Sequence, residues 1–288
     1  MPPPSPAERL LLRLFGPGGV AQRRPSAWLP VWQVLSVAEP SSWPQELRAR
    51  GLFDEAAFAE RFLAVPDLSP PKPPRGWRVA APASRILPAR ALLALGRALP
   101  PILWHRGALP SQESHWLAVV GSRRLSDEEA QMAEAAGAAA ARLGMAVVSG
   151  GAEGADSLAL GTCVSSGGLA LSLLPGGGQG ARPLWGEATI NPAAPAFSVE
   201  GAHRRNRWVY GSACAALVIA SRFSAGGTWS GVIAARRLRL CPIFVYMAGE
   251  PSSGNDALAR IGLPTVSSQA ELEGRLFAVL ESLSRGAA

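Results

Sequence analysis

The chain has 288 residues, 48% of them hydrophobic, which is enough for a sizeable buried core in one large domain or two ordinary ones. Its 28 basic residues against 21 acidic ones give a formal charge of +7, with Lys72 the only lysine; this balance suits a polyanionic partner, although a GC-rich genome also raises arginine. No apolar run reaches the ~18 residues of a membrane helix and the proline-rich start is no signal peptide, so a soluble, cytoplasmic protein without membrane partners is expected.

In chain order, residues 7–15 read as a short amphipathic helix stopped by Gly16-Pro17-Gly18-Gly19. Trp28, Trp32 and Trp43 follow in a segment broken by Pro30, Pro40 and Pro44, and residues 54–64 form a further helix. The tryptophans are expected to make the core of a small helical region over residues 1–75, whose end at residues 66–74 is a stiff, proline-rich linker. A second domain is expected over residues 76–288.

There the pattern becomes regular. Residues 116–120 are a buried strand ending at Gly121. Ser126 with Glu129 makes a capping box for an alanine-rich helix to Leu143. Further strands are expected at 145–148, 169–174, 215–220 and 243–246, and helices at 155–164, 205–212, 228–238 and 269–283. Strands alternating with helices mean crossover units, hence an α/β, Rossmann-like fold with a mostly parallel sheet flanked by helices. Ligands on such sheets gather beyond the carboxyl ends of the strands.

Four loops follow strands there: Gly121-Ser122-Arg123, the turn from Ser149 through Gly150 and Gly151 to Asp156, Pro175-Gly176-Gly177-Gly178, and the loop from Ser221 to Thr228. Glycine lets the backbone turn tightly and present N–H groups to an anion. Residues 201–240 add seven arginines and no carboxylate, opening with His203-Arg204-Arg205-Asn206-Arg207. Arginine offers phosphate a planar, two-pronged donor. No metal centre is expected, because His105, His115 and His203 are scattered and Cys163, Cys214 and Cys241 are widely spaced among apolar neighbours; they read as buried, reduced thiols.

Several of these pieces, in this order, resemble the DNA-processing protein A (DprA/Smf) family. They are Pro100-Pro101-Ile102-Leu103-Trp104-His105-Arg106-Gly107, Val119-Val120-Gly121-Ser122-Arg123, Ser149-Gly150-Gly151-Ala152-Glu153-Gly154-Ala155-Asp156, Arg205-Asn206-Arg207, Gly226-Gly227-Thr228, and Ser253-Gly254-Asn255 with Ala257-Leu258. The resemblance implies a non-enzymatic protein without cofactor that binds single-stranded DNA, dimerises, and helps load a RecA-type recombinase during DNA uptake. It puts DNA or phosphate contacts at Gly121, Ser122, Arg123, Ser149, Gly150, Gly151, Arg205, Asn206, Arg207, Gly226, Gly227, Thr228 and Asn255. This chain departs from the family in having acidic Glu153 where a base is common, Met247-Ala248-Gly249 in place of Pro-Gly, and no room for a C-terminal winged helix.

The residues themselves leave choices open. Arg205 and Arg207 flank Asn206 and cannot point the same way on a helix, so one contacts phosphate while the other braces the loops. Asn206 suits a hydrogen bond to neighbouring backbone, and Asp156 suits capping better than catalysis. Gly226, Gly227 and Thr228 offer either phosphate contacts or plain capping. The rival functions are a nucleotide or nucleotide-sugar hydrolase with Glu153 as acid or base, and a nucleotide sensor.

Overall fold

A computed structural model describes residues 4–16, 27–64, 76–83, 86–177, 184–192, 198–247 and 249–286. The expected linker at 66–74, the glycine stop at 17–19, Gly178 and Ala248 lie outside the described residues. The chain opens with α1 (Pro6–Phe15), α2 (Trp28–Leu35), α3 (Trp43–Ala49) and α4 (Phe53–Ala64). Ser5 and Glu8 close a reciprocal capping box on α1. Pro30 and Pro44 fall in the first turns of α2 and α3 instead of breaking the segment, since proline's fixed φ and missing N–H cost little there. Trp28 and Trp43 are buried, and the Trp43 indole N–H donates to the Ala38 carbonyl at 2.9 Å.

The rest alternates strand and helix: β1 (Arg78–Ala80), α5 (Ala89–Leu95), β2 (Leu103–Arg106), β3 (Trp116–Val120), α6 (Asp127–Arg142), β4 (Ala146–Ser149), α7 (Ala155–Ser165), β5 (Ala170–Leu174), β6 (Gly186–Thr189), α8 (Val199–Ser212), β7 (Ala215–Val218), α9 (Gly226–Arg237), β8 (Ile243–Tyr246), α10 (Ser253–Arg260), β9 (Thr265–Val266) and α11 (Gln269–Gly286). The strands make one sheet in the order β1-β2-β6-β5-β4-β3-β7-β8-β9. From β6 to β9 every pairing is parallel; β2 runs antiparallel to β6, and β1 antiparallel to β2. The expected mostly parallel, Rossmann-like sheet is therefore the fold. The chain winds outward from β3 to β6 and then returns to β7 on the other side of β3. That reversal makes β3/β7 the topological switch point, where such sheets open a crevice for ligands.

Alternate side chains of each central strand feed two cores, as a pleated strand covered on both faces requires. Leu117, Val119, Val147 and Leu217 pack against α6, α7 and α11. Ala118, Val148, Ala216 and Val218 face a second core shared with α8, α9 and the N-terminal helices. Arg90 of α5 fastens these layers by donating to the carbonyls of Gly211, Ala213 and Leu240.

Two expectations need correcting. The helix expected at 205–212 begins earlier, at Val199, because the Ser198 hydroxyl caps the Gly201 amide at 3.1 Å, and β6 precedes it where no strand was expected. The strand expected at 215–220 ends at Val218.

Candidate nucleic-acid interface

Because the central strands are parallel, the loops after β3, β4, β5, β7 and β8 all leave from one rim of the sheet. The first turn, Gly121-Ser122-Arg123, sits at the switch point. A Cβ on Gly121 would strike Ala155 of α7 and crowd Ile219, so only glycine allows the approach. The Thr228 hydroxyl donates to the Gly121 carbonyl at 3.1 Å, and the Ser122 hydroxyl donates to Ala220 at 3.4 Å. Thus β3, β7 and the start of α9 are tied together.

The second turn closes against the first. Gly154, at φ +88°, lies against the Ser122 and Arg123 backbone, and the Ala155 amide donates to the Ser122 carbonyl at 3.3 Å. Two of its amides are taken internally. The buried Asp156 carboxylate accepts from the amides of Gly150, at 3.1 Å, and Ala152, at 3.4 Å. Ser149 is fully buried and donates to the Val119 carbonyl across the β3–β4 pair. Gly151, at φ +71°, leaves room only for close approach to Ser172. Burial pushes the Asp156 carboxyl above its ordinary range, while the Arg205 charge and the two amides pull it back.

Arg205 is the brace beneath this turn. It is only 8% exposed, its Nη1 donates to the Leu173 carbonyl at 3.0 Å, and a Cβ on Gly150 would run into its guanidinium. Burial pushes its guanidinium below its ordinary value, with Asp156 opposing. Arg207, two positions on, is exposed. Asn206 between them donates to the Gly227 carbonyl at 3.2 Å, linking α8 to α9. Asn255 is buried, accepts from the Ser221 hydroxyl at 2.8 Å, and donates to the carbonyls of Ile219, at 2.8 Å, and Tyr246, at 3.0 Å. Ser149, Gly150, Arg205 and Asn255 are buried parts of the frame, Gly151 is half-buried, and the Thr228 hydroxyl donates to the Gly121 carbonyl.

Other residues of the site face outward. Arg123 and Arg124 on the first turn, Arg204 and Arg207 on α8, and Arg222 after β7 are exposed, and none of their guanidinium groups makes a hydrogen bond or ion pair among the described residues. The N-terminus of α9 has no side-chain cap, Gly226 takes φ +82°, and nothing lies within 4 Å of a Cβ placed on Gly227. The first amides of a helix have no intrahelical acceptor and sit at the positive end of its dipole. Beside them Phe223 is 60% exposed, its ring edge-on to Trp229 with centroids 5.1 Å apart. Phe223 was not singled out from the sequence. The signal was present: a large aromatic in a polar strand-to-helix loop, between Arg222 and Gly226-Gly227, with no apolar partner in the pattern.

Glu153 is exposed on the outer side of the second turn. Among the described residues no His, Cys, Asp and Glu cluster could hold a metal ion. None of the described helices is long and apolar enough to cross a membrane.

A doubly wound sheet with an arginine-edged rim at its switch point places the chain among Rossmann-like α/β proteins that keep their ligand site at the strands' carboxyl ends. Within that class the comparisons are specific. A family model described as DNA recombination-mediator protein A matches residues 82–260, and the chain belongs to this family, in agreement with the motif resemblance. Among solved structures it is similar to DNA processing protein A from Streptococcus pneumoniae, with a TM-score of 0.68 at 18% identity over 93% of this chain and 97% of that one. It is also similar to DNA processing protein A from Helicobacter pylori, a structure concerned with its single-stranded DNA binding mode; there the TM-score is 0.59 at 18% identity over 70% of this chain and 96% of that one. At such identity the likeness is one of fold. No curated protein matches the sequence.

Proposed function

We propose that this protein is a non-enzymatic, single-stranded DNA-binding member of its family, gripping the strand along the carboxyl rim of the sheet. The observation that carries the reading is the meeting, at one switch point, of unpaired guanidinium groups with an open, uncapped helix start. Arg123, Arg207 and Arg222 neutralise backbone phosphates, the amides of Gly226 and Gly227 receive one phosphate, and Phe223 offers its face to a base. Arg205, Asn206 and Asn255 hold these parts in register without touching DNA. Binding through phosphates and a stacking ring tolerates any sequence and weakens with salt. The Helicobacter pylori relative's association with single-stranded DNA supports the choice of ligand.

By the same family reading, a RecA-type recombinase receives the coated strand in the cytoplasm, the protein works as a homodimer in DNA uptake, and residues 1–75 form a helical unit appended to the domain at 76–288. Competition binding tests the core of the proposal. A labelled oligonucleotide is expected to bind saturably and to resist displacement by excess mononucleotide. Turnover of mononucleotides that disappears in Glu153→Gln would overturn it in favour of a hydrolase.

A further inference from the structure

Arginine keeps its charge at every physiological pH, whereas imidazole is the side chain that gains one as the pH falls from 8 to 5. His203 brings an imidazole to the exposed face of α8, one turn before Arg207 and next to Arg204. Its Nδ1 lies 3.4 Å from the Ser230 hydroxyl of α9. That hydroxyl has a single proton and donates it back into its own helix, to the Gly226 carbonyl at 3.1 Å, with the Gly227 carbonyl at 3.3 Å. Toward the imidazole the Ser230 oxygen can therefore only accept, so Nδ1 carries the ring proton. Nε2 has no partner among the described residues. Through Ser230 the ring is held against the first turns of α9, between the arginines of α8 and the uncapped helix start.

In the neutral ring Nε2 presents a lone pair, which repels a phosphate oxygen. A proton on Nε2 turns the same atom into a donor for a charge-assisted hydrogen bond. A phosphate beside the ring favours the charged form in return, so strand binding and proton uptake strengthen each other. The surrounding charges suit an anion there. On α8, Glu200 lies one turn before His203, Arg204 beside it and Arg207 one turn after. From α9 only the Ser230 hydroxyl reaches the ring, because Arg236 and Arg237 lie nearly two turns further along. Arg90 of α5 meets α8 at its other end, on the Gly211 carbonyl, and β3, β4 and β5 beneath the helix contribute no charged residue.

We propose that His203 is a further phosphate contact of this rim, made through Nε2 in its protonated form, so that binding of single-stranded DNA takes up a proton. The inference rests on the DNA-binding reading above, and its test separates the two. The probe is a labelled oligothymidylate without terminal phosphates, whose bases and phosphodiesters keep their charge between pH 6 and pH 8. Affinity is read by fluorescence anisotropy at those two pH values and constant ionic strength. From pH 8 to pH 6 the parent should gain about fivefold more affinity than His203→Gln. His115→Gln, altered just before β3 at the opposite end of that strand, should gain as much as the parent. In the parent, the His203 ring resonances should titrate at higher pH in the complex than in the free protein. Failure of the parent to bind the oligonucleotide at either pH would overturn the DNA-binding reading and this inference together. Binding with the same pH profile in the parent and His203→Gln, resonances that titrate alike free and bound, or a pH dependence lost in His115→Gln instead would overturn this inference alone.

Discussion

The first and second glycine turns have the same plan, a buried strand running through glycine into a helix, yet they do opposite work. The first leaves Arg123 and Arg124 in solvent, beside the open start of α9. The second is filled from within: Asp156 takes the amides of Gly150 and Ala152, and Arg205 occupies the space under Gly150. Glycine makes an anion site possible, but whether its amides are available depends on the side chains that reach the turn from elsewhere in the chain. A carboxylate already seated in the turn answers that question before any ligand arrives.

The largest effect should come from the filled turn. Arg205→Ala strips the buried Asp156 of its countercharge and the Leu173 carbonyl of a donor, and should destabilise the fold by about 3 kcal/mol in urea denaturation. A variant that unfolds like the parent would mean the brace is dispensable. Paired glycine substitutions sharpen the contrast. Gly150→Ala collides with the Arg205 guanidinium and should cost about 2 kcal/mol, whereas Gly227→Ala points into open space and should stay within ~0.5 kcal/mol of the parent while weakening oligonucleotide binding. If both substitutions behaved alike, the two turns would not differ as described. The smallest effect concerns Phe223, which packs edge-on to Trp229 from an exposed position. Phe223→Ala should leave stability near the parent's and reduce oligonucleotide affinity by about 1 kcal/mol, measured by fluorescence anisotropy.

Much of the frame is legible in the sequence where a local pattern decides the structure. The run Trp116-Leu117-Ala118-Val119-Val120 can only be a buried strand, and the Ser126–Glu129 box forms both of its hydrogen bonds. Two of the strands were not legible. Gly186-Glu187-Ala188-Thr189 has no β-branched apolar run, and β9 is two residues long, so both exist through pairing with neighbours and not through pattern. The site divides in the same way. The spacing of Arg205 and Arg207 separates their directions on a helix, but only the distant Leu173 carbonyl and Gly150 decide which one is buried. Asn255 looks like a loop residue in sequence, and becomes a knot because Ile219 and Tyr246 arrive beside it from two other strands' ends.

The central claim is that exposed arginines at the switch point, and not the buried one, meet the phosphates. It is tested most directly by the salt dependence of oligonucleotide binding for the parent, Arg123→Ala and Arg207→Ala. Each substitution should lower the slope of log affinity against log salt by about 0.7, the increment for one single-strand phosphate contact, while the unfolding midpoint stays unchanged. Slopes identical to the parent's in both variants would contradict the account.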